Sequence, residues 1–196
     1  MRDITERRAK RIRDVLARRQ PDLTLVIDNI HDPHNVSAIL RSCDAFGVQR
    51  VHLLYTDTAF PSLGKKSSAS AKKWVETVRH PDAAAMATAL KAEGYALIAT
   101  GFNATATPLP KWDLGRKTAI ILGNEHRGVD ADLLPLVDGT LYIPMQGMVQ
   151  SLNVSVAAAV ILYEAFRQRQ AAGRYDRPSL APDELERLAT AWAGKR

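Results

Sequence analysis

The stretch Leu23-Thr-Leu-Val-Ile-Asp-Asn-Ile-His-Asp-Pro-His-Asn-Val-Ser-Ala-Ile-Leu-Arg-Ser-Cys-Asp-Ala-Phe-Gly47 joins two different hydrophobic patterns. Its first seven residues, 23–29, form a nearly continuous apolar run, which indicates a strand buried on both faces. From Asn35 to about residue 46, apolar side chains recur at helical spacing, and Asn35 and Gly47 suit the two ends of a helix. The stretch is therefore predicted to be a strand followed by a helix.

The same alternation of strands and helices continues along the chain. Strands are predicted at residues 51–55, 74–78, 95–100, 118–122 and 141–143, and helices at residues 82–93, 129–137, 151–172 and 182–192. The segment 58–73, rich in serine and with Pro61 and Gly64, is predicted to be a loop. Strands that alternate with helices are typical of a mostly parallel sheet with helices on both faces. We therefore expect an α/β fold.

The composition fits one domain of ordinary size. The 196 residues are 46% hydrophobic and 24% charged, which is enough for one sizeable core. The longest apolar stretch, 154–166, is too short to span a bilayer, and the first residues lack the apolar core of a signal peptide. A single cysteine, Cys43, excludes an internal disulfide and a cysteine-based zinc site. We expect a cytoplasmic protein that does not associate with membranes.

The positive charge is concentrated at the N-terminus. Residues 1–20 hold eight basic and three acidic side chains, so they account for +5 of the net charge of +6. Apolar residues at positions 4, 12, 15 and 16 predict a helix that lies against another part of the molecule. Either the basic side chains are simply solvated, or they form an arm attracted to a polyanion. In the second case, the residues expected to contact the phosphates of that polyanion are Arg7, Arg8, Arg11 and Arg19.

Several common site motifs are absent. Gly123-Asn-Glu-His-Arg-Gly128 lacks the Lys-Ser/Thr of a phosphate-binding P-loop, and no G-x-G-x-x-G follows the first strand. His31 and His34 could bind a metal ion, but no further ligand clusters with them in the sequence. We therefore expect no metal site.

Two of three unusual segments follow predicted strands directly. In the segment 29–41, Asn35 is of a type that more often caps a helix than acts in catalysis, whereas Arg41 lies off the apolar stripe and could hold a phosphate. In the segment 120–128, Gly123 would allow a ligand to approach the backbone closely. By its spacing alone, Glu125 is expected to be a surface carboxylate.

The third unusual segment, 141–155, combines a strand end with an apolar loop. The loop after Pro144 carries three apolar side chains and Gly147, although exposed loops are usually polar. Apolar side chains and backbone amides suit an adenine ring. Ser151 is predicted to cap the long helix that follows.

Together these segments resemble the SpoU family of RNA 2′-O-methyltransferases, within the SPOUT class. Residues 35–41, Leu122-Gly-Asn-Glu125 and Ile143-Pro-Met-Gln-Gly-Met-Val-Gln-Ser-Leu-Asn153 are similar to the first, second and third motifs of that family. The resemblance spans nearly the whole chain. It is closest to the members that methylate guanosine 18 of tRNA, because residues 18–24, 33–37 and 147–156 also match them.

The resemblance implies a deep trefoil knot in the C-terminal part of the sheet, which pattern alone would not predict. It also implies a homodimer with the active site at the subunit interface, tRNA as substrate and S-adenosylmethionine (AdoMet) as methyl donor. The catalytic positions that it implies are Arg41, Asn35, Glu125, Ser151 and Asn153. The implied cofactor contacts are Thr100, Gly123, Asn124, Ile143, Met145, Gly147, Met148 and Leu152.

On this interpretation the chain has three parts: a basic helical arm (1–20), a SPOUT core (21–173) and a C-terminal helical extension (174–196). The alternatives are a family member that acts on rRNA or another tRNA position, and an RNA-binding relative without activity. Members that act on rRNA often carry a large N-terminal RNA-binding domain, so the short segment before the first strand favours tRNA. The family's proposed role for Arg41 is that of the base. We favour a phosphate clamp, because arginine side chains stay protonated at ordinary pH.

Overall fold

The computed structural model describes residues 4–63 and 71–195, and these residues form one sheet of seven parallel strands. The spatial order of the strands is β3-β2-β1-β6-β4-β7-β5. Their bounds are β1 Leu23–Asp28, β2 Arg50–Leu54, β3 Glu76–His80, β4 Ala96–Thr100, β5 Thr107–Pro108, β6 Thr118–Leu122 and β7 Gly139–Tyr142. The expected parallel α/β architecture is confirmed.

The same residues form six α-helices and two short 3-10 segments. The helices are α1 Glu6–Leu16, α2 Pro33–Ala45, α3 Ala71–Trp74, α4 Ala83–Ala92, α5 Val154–Ala171 and α6 Pro182–Ala193. The 3-10 segments are Leu109–Lys111 and Leu134–Leu136.

Helices cover both faces of the sheet, as predicted. Successive side chains of a strand point to opposite faces. In β1, Leu25 and Ile27 pack into a core cluster with α2 and α5, whereas Val26 packs into a second cluster with α4. All six residues of β1 are buried, which agrees with the continuous apolar run in the sequence.

The N-terminal and C-terminal helices pack against each other. Ile12 and Leu16 of α1 form a small core with Leu188 and Trp192 of α6, so the apolar stripe of the N-terminal segment does cover another element. Trp74 packs against this core and lies just before β3. The α1–α6 pair is therefore near the amino ends of the strands.

Several local predictions differ from the structure. The helix predicted at residues 129–137 is only the 3-10 segment Leu134–Leu136. Residues 71–74 form α3, so the last three residues of the predicted loop 58–73 are helical, and the strand predicted at residues 74–78 begins only at Glu76. Strand β5 was not predicted, since two residues carry too little periodicity.

The helices and strands do not test every expectation from the sequence. Of the predicted loop 58–73, residues 64–70 lie outside the described residues, as do residues 1–3 of the basic arm. The trefoil knot concerns how the connections thread, which the strand order does not determine, so it stays a prediction. In the described parts of the chain, no helix is both long enough and apolar enough to cross a lipid bilayer.

Candidate functional site

The three unusual segments of the sequence meet at one edge of the sheet. They follow β1, β6 and β7, and the strand order places β6 beside β1 and β4 between β6 and β7. Parallel strands all end at the same edge, and ligands of such sheets bind there, near the point where the strand order reverses. That reversal lies at β1 and β6, which brings together residues about one hundred positions apart.

Asn35 is at the centre of a polar chain at this edge. Helix α2 is capped by Asp32, whose side chain accepts from the backbone N–H of His34 at 2.8 Å, so the prediction that Asn35 caps this helix is wrong. Asn35 instead lies in the first turn, 7% exposed. Its Nδ2 donates to Glu125 Oε1 at 2.8 Å, and its Oδ1 accepts from Asn153 Nδ2 at 3.1 Å.

Asn153 fixes the other end of this chain. Its Oδ1 accepts from the backbone N–H of Ser155 at 2.9 Å and from the Ser155 hydroxyl at 2.6 Å, so Asn153 is the cap of α5. The prediction that Ser151 caps this helix is therefore wrong, and Ser151 lies exposed two residues earlier. The side-chain amide of Asn153 thus caps α5 with its oxygen and donates a hydrogen bond to Asn35 from its nitrogen.

Glu125 is an exposed carboxylate, as its spacing predicted, yet Asn35 holds one of its oxygens. The chain Glu125–Asn35–Asn153 therefore connects all three segments. Asn35 sits in the middle and is the buried member, whereas the other two are exposed to solvent. Such an arrangement fixes the orientation of polar groups that face an incoming ligand.

The loop that carries Glu125 is closed on itself. Asn124 and Gly128 exchange two backbone hydrogen bonds of 2.9 Å, and Asn124 Nδ2 donates to the carbonyl of Asn29 at 2.7 Å. A Cβ atom on Gly123 would lie 2.1 Å from the backbone carbon of Gly128. The structure thus requires glycine at this position because the backbone at Gly128 lies so close. This reason is additional to the predicted one, the approach of a ligand.

A second buried network, which we did not predict, supports this loop. Asn29 has a φ of 46°, in the left-handed region, and its Nδ2 donates to Asp130 Oδ2 at 2.8 Å. Asp28 accepts from the backbone N–H of Asp130 at 3.0 Å. Burial raises the pKa of Asp28 to about 7, the hydrogen bond from Asp130 lowers it, and the charges of Asp130 and Asp132 raise it. A polar Asp-Asn pair at the end of a nearly continuous apolar run was the available signal.

Arg41 lies on α2, six residues after Asn35. Its side chain is exposed, in agreement with its position off the apolar stripe. Six residues of α-helix advance about 9 Å along the axis, so Arg41 stands on the same helix but well beyond the Glu125–Asn35–Asn153 chain.

The predicted cofactor positions are at the ends of three adjacent strands. Thr100 ends β4, Gly123 follows β6, and Ile143 follows β7. Adjacent strands are about 4.8 Å apart, so these positions lie side by side. The Thr100 hydroxyl donates to the carbonyl of Ile121 at 2.9 Å, which leaves mainly its backbone for a ligand.

The loop after β7 adds apolar groups to this edge. Met148 is 99% exposed, and nothing lies within 4 Å of a Cβ atom built on Gly147. Met145 and Leu152 are half-buried. The side chain of Asn124 is 4% exposed and is used within the loop, and its backbone N–H and carbonyl bond to Gly128. Of this residue, the second lone pair of the carbonyl is what remains for a cofactor. Backbone groups beside exposed apolar side chains fit an adenosine moiety.

The four arginines predicted to contact RNA divide into three kinds. Arg7 and Arg11 are exposed on α1. Arg8 is also exposed, but its guanidinium donates to the carbonyl of Lys195. Arg19 is fully buried, and the prediction that it contacts RNA is wrong.

Arg19 is buried because α1 ends at Leu16, after which the chain turns inward. Its guanidinium forms an ion pair with Asp44 at 2.5 Å, donates to the carbonyl of Val48 at 2.9 Å and stacks on Trp192 at 5.1 Å. Burial lowers its pKa, and Asp44 opposes that shift. Arg18, which we did not predict, is exposed instead.

No group of three or more His, Cys, Asp or Glu side chains within residues 4–63 and 71–195 is arranged to hold a metal ion.

Comparison with known proteins agrees with this architecture. Residues 22–163 match the model of the SpoU rRNA Methylase family. The chain is 47% identical over 195 residues to the tRNA (guanosine(18)-2'-O)-methyltransferase of Thermus thermophilus, and the alignment covers 100% of both chains. The similarity therefore includes the two terminal helices as well as the sheet.

Two solved structures are also similar. The crystal structure of the A. aeolicus TrmH/SpoU tRNA modifying enzyme has a TM-score of 0.89 and 37% identity, and covers 96% of this chain and 95% of that one. The SpoU methyltransferase AviRb from Streptomyces viridochromogenes, solved in complex with AdoMet, has a TM-score of 0.71 and 29% identity. That alignment covers 81% of this chain and 64% of AviRb.

Proposed function

The chain belongs to the SpoU methylase family, and on that basis we propose that it transfers a methyl group from AdoMet to the 2′-hydroxyl of guanosine 18 in the D-loop of tRNA. The observation that carries this proposal is the full-length 47% identity to the Thermus thermophilus enzyme. Family members that act on rRNA or another tRNA position, and a relative that binds RNA without activity, are the alternatives.

The carboxyl edge of the sheet would hold the cofactor. The backbone near Thr100, Gly123 and Ile143 and the apolar loop after β7 offer what an adenosine moiety requires, as argued above. When bound, AdoMet supplies a methyl group on a positively charged sulfur, ready for attack by an oxygen. The chain itself must then position the ribose and help the hydroxyl to lose its proton.

The polar chain at this edge suits the positioning role. Asn35 uses one donor and one acceptor within the protein, and a side-chain amide has further capacity for both. Asn35, Asn153 and Ser151 would orient the ribose, and Glu125 would keep the Asn35 amide in place. Asn35 is buried, Asn153 caps α5 and Glu125 lies in a closed loop. The orientation of these side chains is therefore fixed before the substrate binds.

Arg41 would hold a phosphate of the substrate. Its side chain is exposed, and a guanidinium group binds phosphate with two parallel hydrogen bonds. Since arginine stays protonated at ordinary pH, the proton of the hydroxyl would pass to an adjacent phosphate oxygen or to water.

An exposed apolar stripe on α5 supports a homodimer. Val156, Val160 and Tyr163 are 47%, 38% and 57% exposed, and their spacing places them on one face of the helix. A second copy of the chain would cover this face, which begins three residues after the Asn153 cap. We include in the proposal the dimer with its site at the subunit interface, the trefoil knot, the division at residues 20 and 173, and a cytoplasmic location.

The basic arm would form a second contact with tRNA. Arg7, Arg11 and Arg18 are exposed and recur along α1 and the turn after it. This arm is near the amino ends of the strands, whereas the polar chain is at their carboxyl ends. Strands of five or six residues are about 17–20 Å long, so an RNA that touches both surfaces must be extended. A folded tRNA meets that requirement.

The decisive experiment maps the product. Purified protein is incubated with AdoMet and a tRNA transcript, and the methylated nucleotide is located by mass spectrometry after nuclease digestion. The expected result is one methyl group on the ribose of guanosine 18, and none on a transcript with a 2′-deoxyguanosine there. Methylation elsewhere would favour the first alternative. AdoMet binding by calorimetry without methyl transfer would favour the second, and no binding at millimolar AdoMet would refute the assignment.

A further inference from the structure

Phe102 is an aromatic side chain that the proposed mechanism does not use. The chain has four phenylalanines, of which Phe46, Phe60 and Phe166 are half-buried, whereas Phe102 is 83% exposed. Exposing a phenyl ring to water costs free energy that burial would recover. An aromatic ring in this state, next to a binding site, indicates a partner that covers it on binding.

The position of Phe102 is defined by the sheet. It comes two residues after Thr100, the end of β4, and β4 lies between β6 and β7. Phe102 is therefore at the same edge as the Glu125-bearing loop and the apolar loop after β7. Strand β4 is two strand spacings, about 10 Å, from β1, so an RNA segment of a few nucleotides that starts at the polar chain spans the distance to this ring.

Three contacts hold Phe102 in place. The backbone N–H of Gly101 donates to the carbonyl of Leu141 at 2.9 Å, and Asn103 Nδ2 donates to Thr140 Oγ1 at 3.3 Å. The ring itself meets Tyr142 edge to face, with 5.0 Å between centroids and an angle of 86°. Both neighbours of Phe102 are thus tied to β7, and Tyr142 braces the ring through a contact that leaves most of it exposed.

From this geometry we infer that Phe102 is a stacking platform for a nucleobase of the RNA substrate, at or next to the methylated nucleotide. The inference rests on the proposed function, since it concerns the same site. A ribose that enters the site must leave regular stacking, which exposes a base, and exposed RNA bases stack on aromatic side chains. The residues around Phe102 are also exposed, and only one of them has an apolar side chain; they are Gly101, Asn103, Ala104 and Thr105. The apolar surface here is therefore little more than one ring, which suits a single base better than a protein interface.

The test compares Phe102→Ala and Phe102→Trp with the wild-type protein. The alanine variant is expected to bind the tRNA transcript about tenfold or more weakly, since stacking on one base contributes that much. Its affinity for AdoMet, measured by calorimetry, and its dimer content, measured by sedimentation, are expected to stay unchanged. The tryptophan variant should bind tRNA at least as tightly as wild type. Leu134→Ala, at an exposed apolar residue just before the amino end of β7, is the matched control and should change neither affinity.

A spectroscopic measurement separates stacking from a structural role. With Phe102→Trp, the added tryptophan fluorescence should be quenched by the tRNA transcript but not by polyphosphate, which has charge and no bases. Weaker AdoMet binding by the alanine variant would mean that Phe102 belongs to the cofactor pocket, and loss of the dimer would mean that it belongs to the subunit interface. Either result, or unchanged tRNA affinity, overturns the inference. If the wild-type protein methylates no tRNA, it is the proposed function that fails.

Discussion

Asp28, buried beneath the loop that carries Glu125, should make the stability of this protein depend on pH. Its side chain is fully buried at the end of β1, and burial raises its pKa from the ordinary 3.8 to about 7. Between these two values the folded state binds more protons than the unfolded state. The free energy of unfolding therefore falls as pH rises through this interval, by about 1.4 kcal/mol per pH unit, and this contribution is flat above pH 7.

The variant Asp28→Asn isolates this contribution. Asparagine keeps the shape and one carbonyl oxygen for the Asp130 N–H but cannot ionise. Between pH 5 and pH 8, wild type should lose about 3 kcal/mol of stability relative to the variant, since about two pH units lie below the raised pKa. Any constant cost of the substitution cancels, because the same pair of proteins is compared at both pH values.

Urea unfolding at fixed protein concentration measures the effect. His52 must be considered, because burial and His80 lower its pKa to about 4. Its folded state binds fewer protons than the unfolded state between pH 4 and 6.5, so His52 makes stability rise with pH there, opposite to Asp28. This contribution is present in both proteins and cancels in the comparison. If the stability difference between wild type and Asp28→Asn is the same at pH 5 and pH 8, the carboxyl group titrates normally and the reasoning is refuted.

Four further predictions concern the site and the arm. Arg41→Ala should lower kcat/KM at least about 100-fold with unchanged AdoMet affinity. Arg41→Lys should recover only part of the lost kcat/KM, because lysine lacks the forked guanidinium group that binds phosphate. Near-wild-type turnover of the alanine variant would contradict the role of Arg41 as a phosphate clamp. Asn35→Ala removes hydrogen bonds to Glu125 and Asn153, so we expect about 2 kcal/mol lower stability and at least tenfold lower kcat at saturating tRNA; unchanged kcat would exclude a positioning role. Gly123→Ala should disrupt the loop and weaken AdoMet binding, because its Cβ would overlap the backbone at Gly128; a wild-type Tm would speak against this. In the arm, the exposed residues Arg7, Arg11 and Arg18 are replaced together by glutamine. The slope of the logarithm of the tRNA-binding constant against the logarithm of salt concentration should become smaller by about two to three units. An unchanged slope would mean that these arginines stay solvated.

Several helix boundaries show where sequence reasoning loses precision. Asp32 and Asn35 are both good capping residues, as are Ser151 and Asn153. In each pair we predicted the wrong one, because the choice depends on distant partners. Asn35 lies inside α2 and bonds to Glu125, ninety residues away, and Asn153 caps α5 while it reaches Asn35. No local pattern contains that information.

Arg19 shows the same limit for charge. In the sequence it is one of several arginines in a basic segment, and its type alone predicts exposure. It lies beyond the end of α1, where the chain turns into the core and meets Asp44 and Trp192. Its neighbour Arg18 remains exposed. Position relative to a helix end, and not charge density, separates the structural arginine from those that face solvent.

The sequence by itself determined the class of fold and the segments that carry the site. Apolar periodicity is local, so β6 could be predicted at its observed bounds, 118–122, and the alternation of strands and helices predicted a parallel sheet. Only the tertiary structure decided how those segments meet. The adjacency of β1 and β6 is a pairing between distant parts of the chain. It brings Asn35 to Glu125 and closes the polar chain to Asn153, because side chains so far apart in sequence can bond only once the sheet has set their distance.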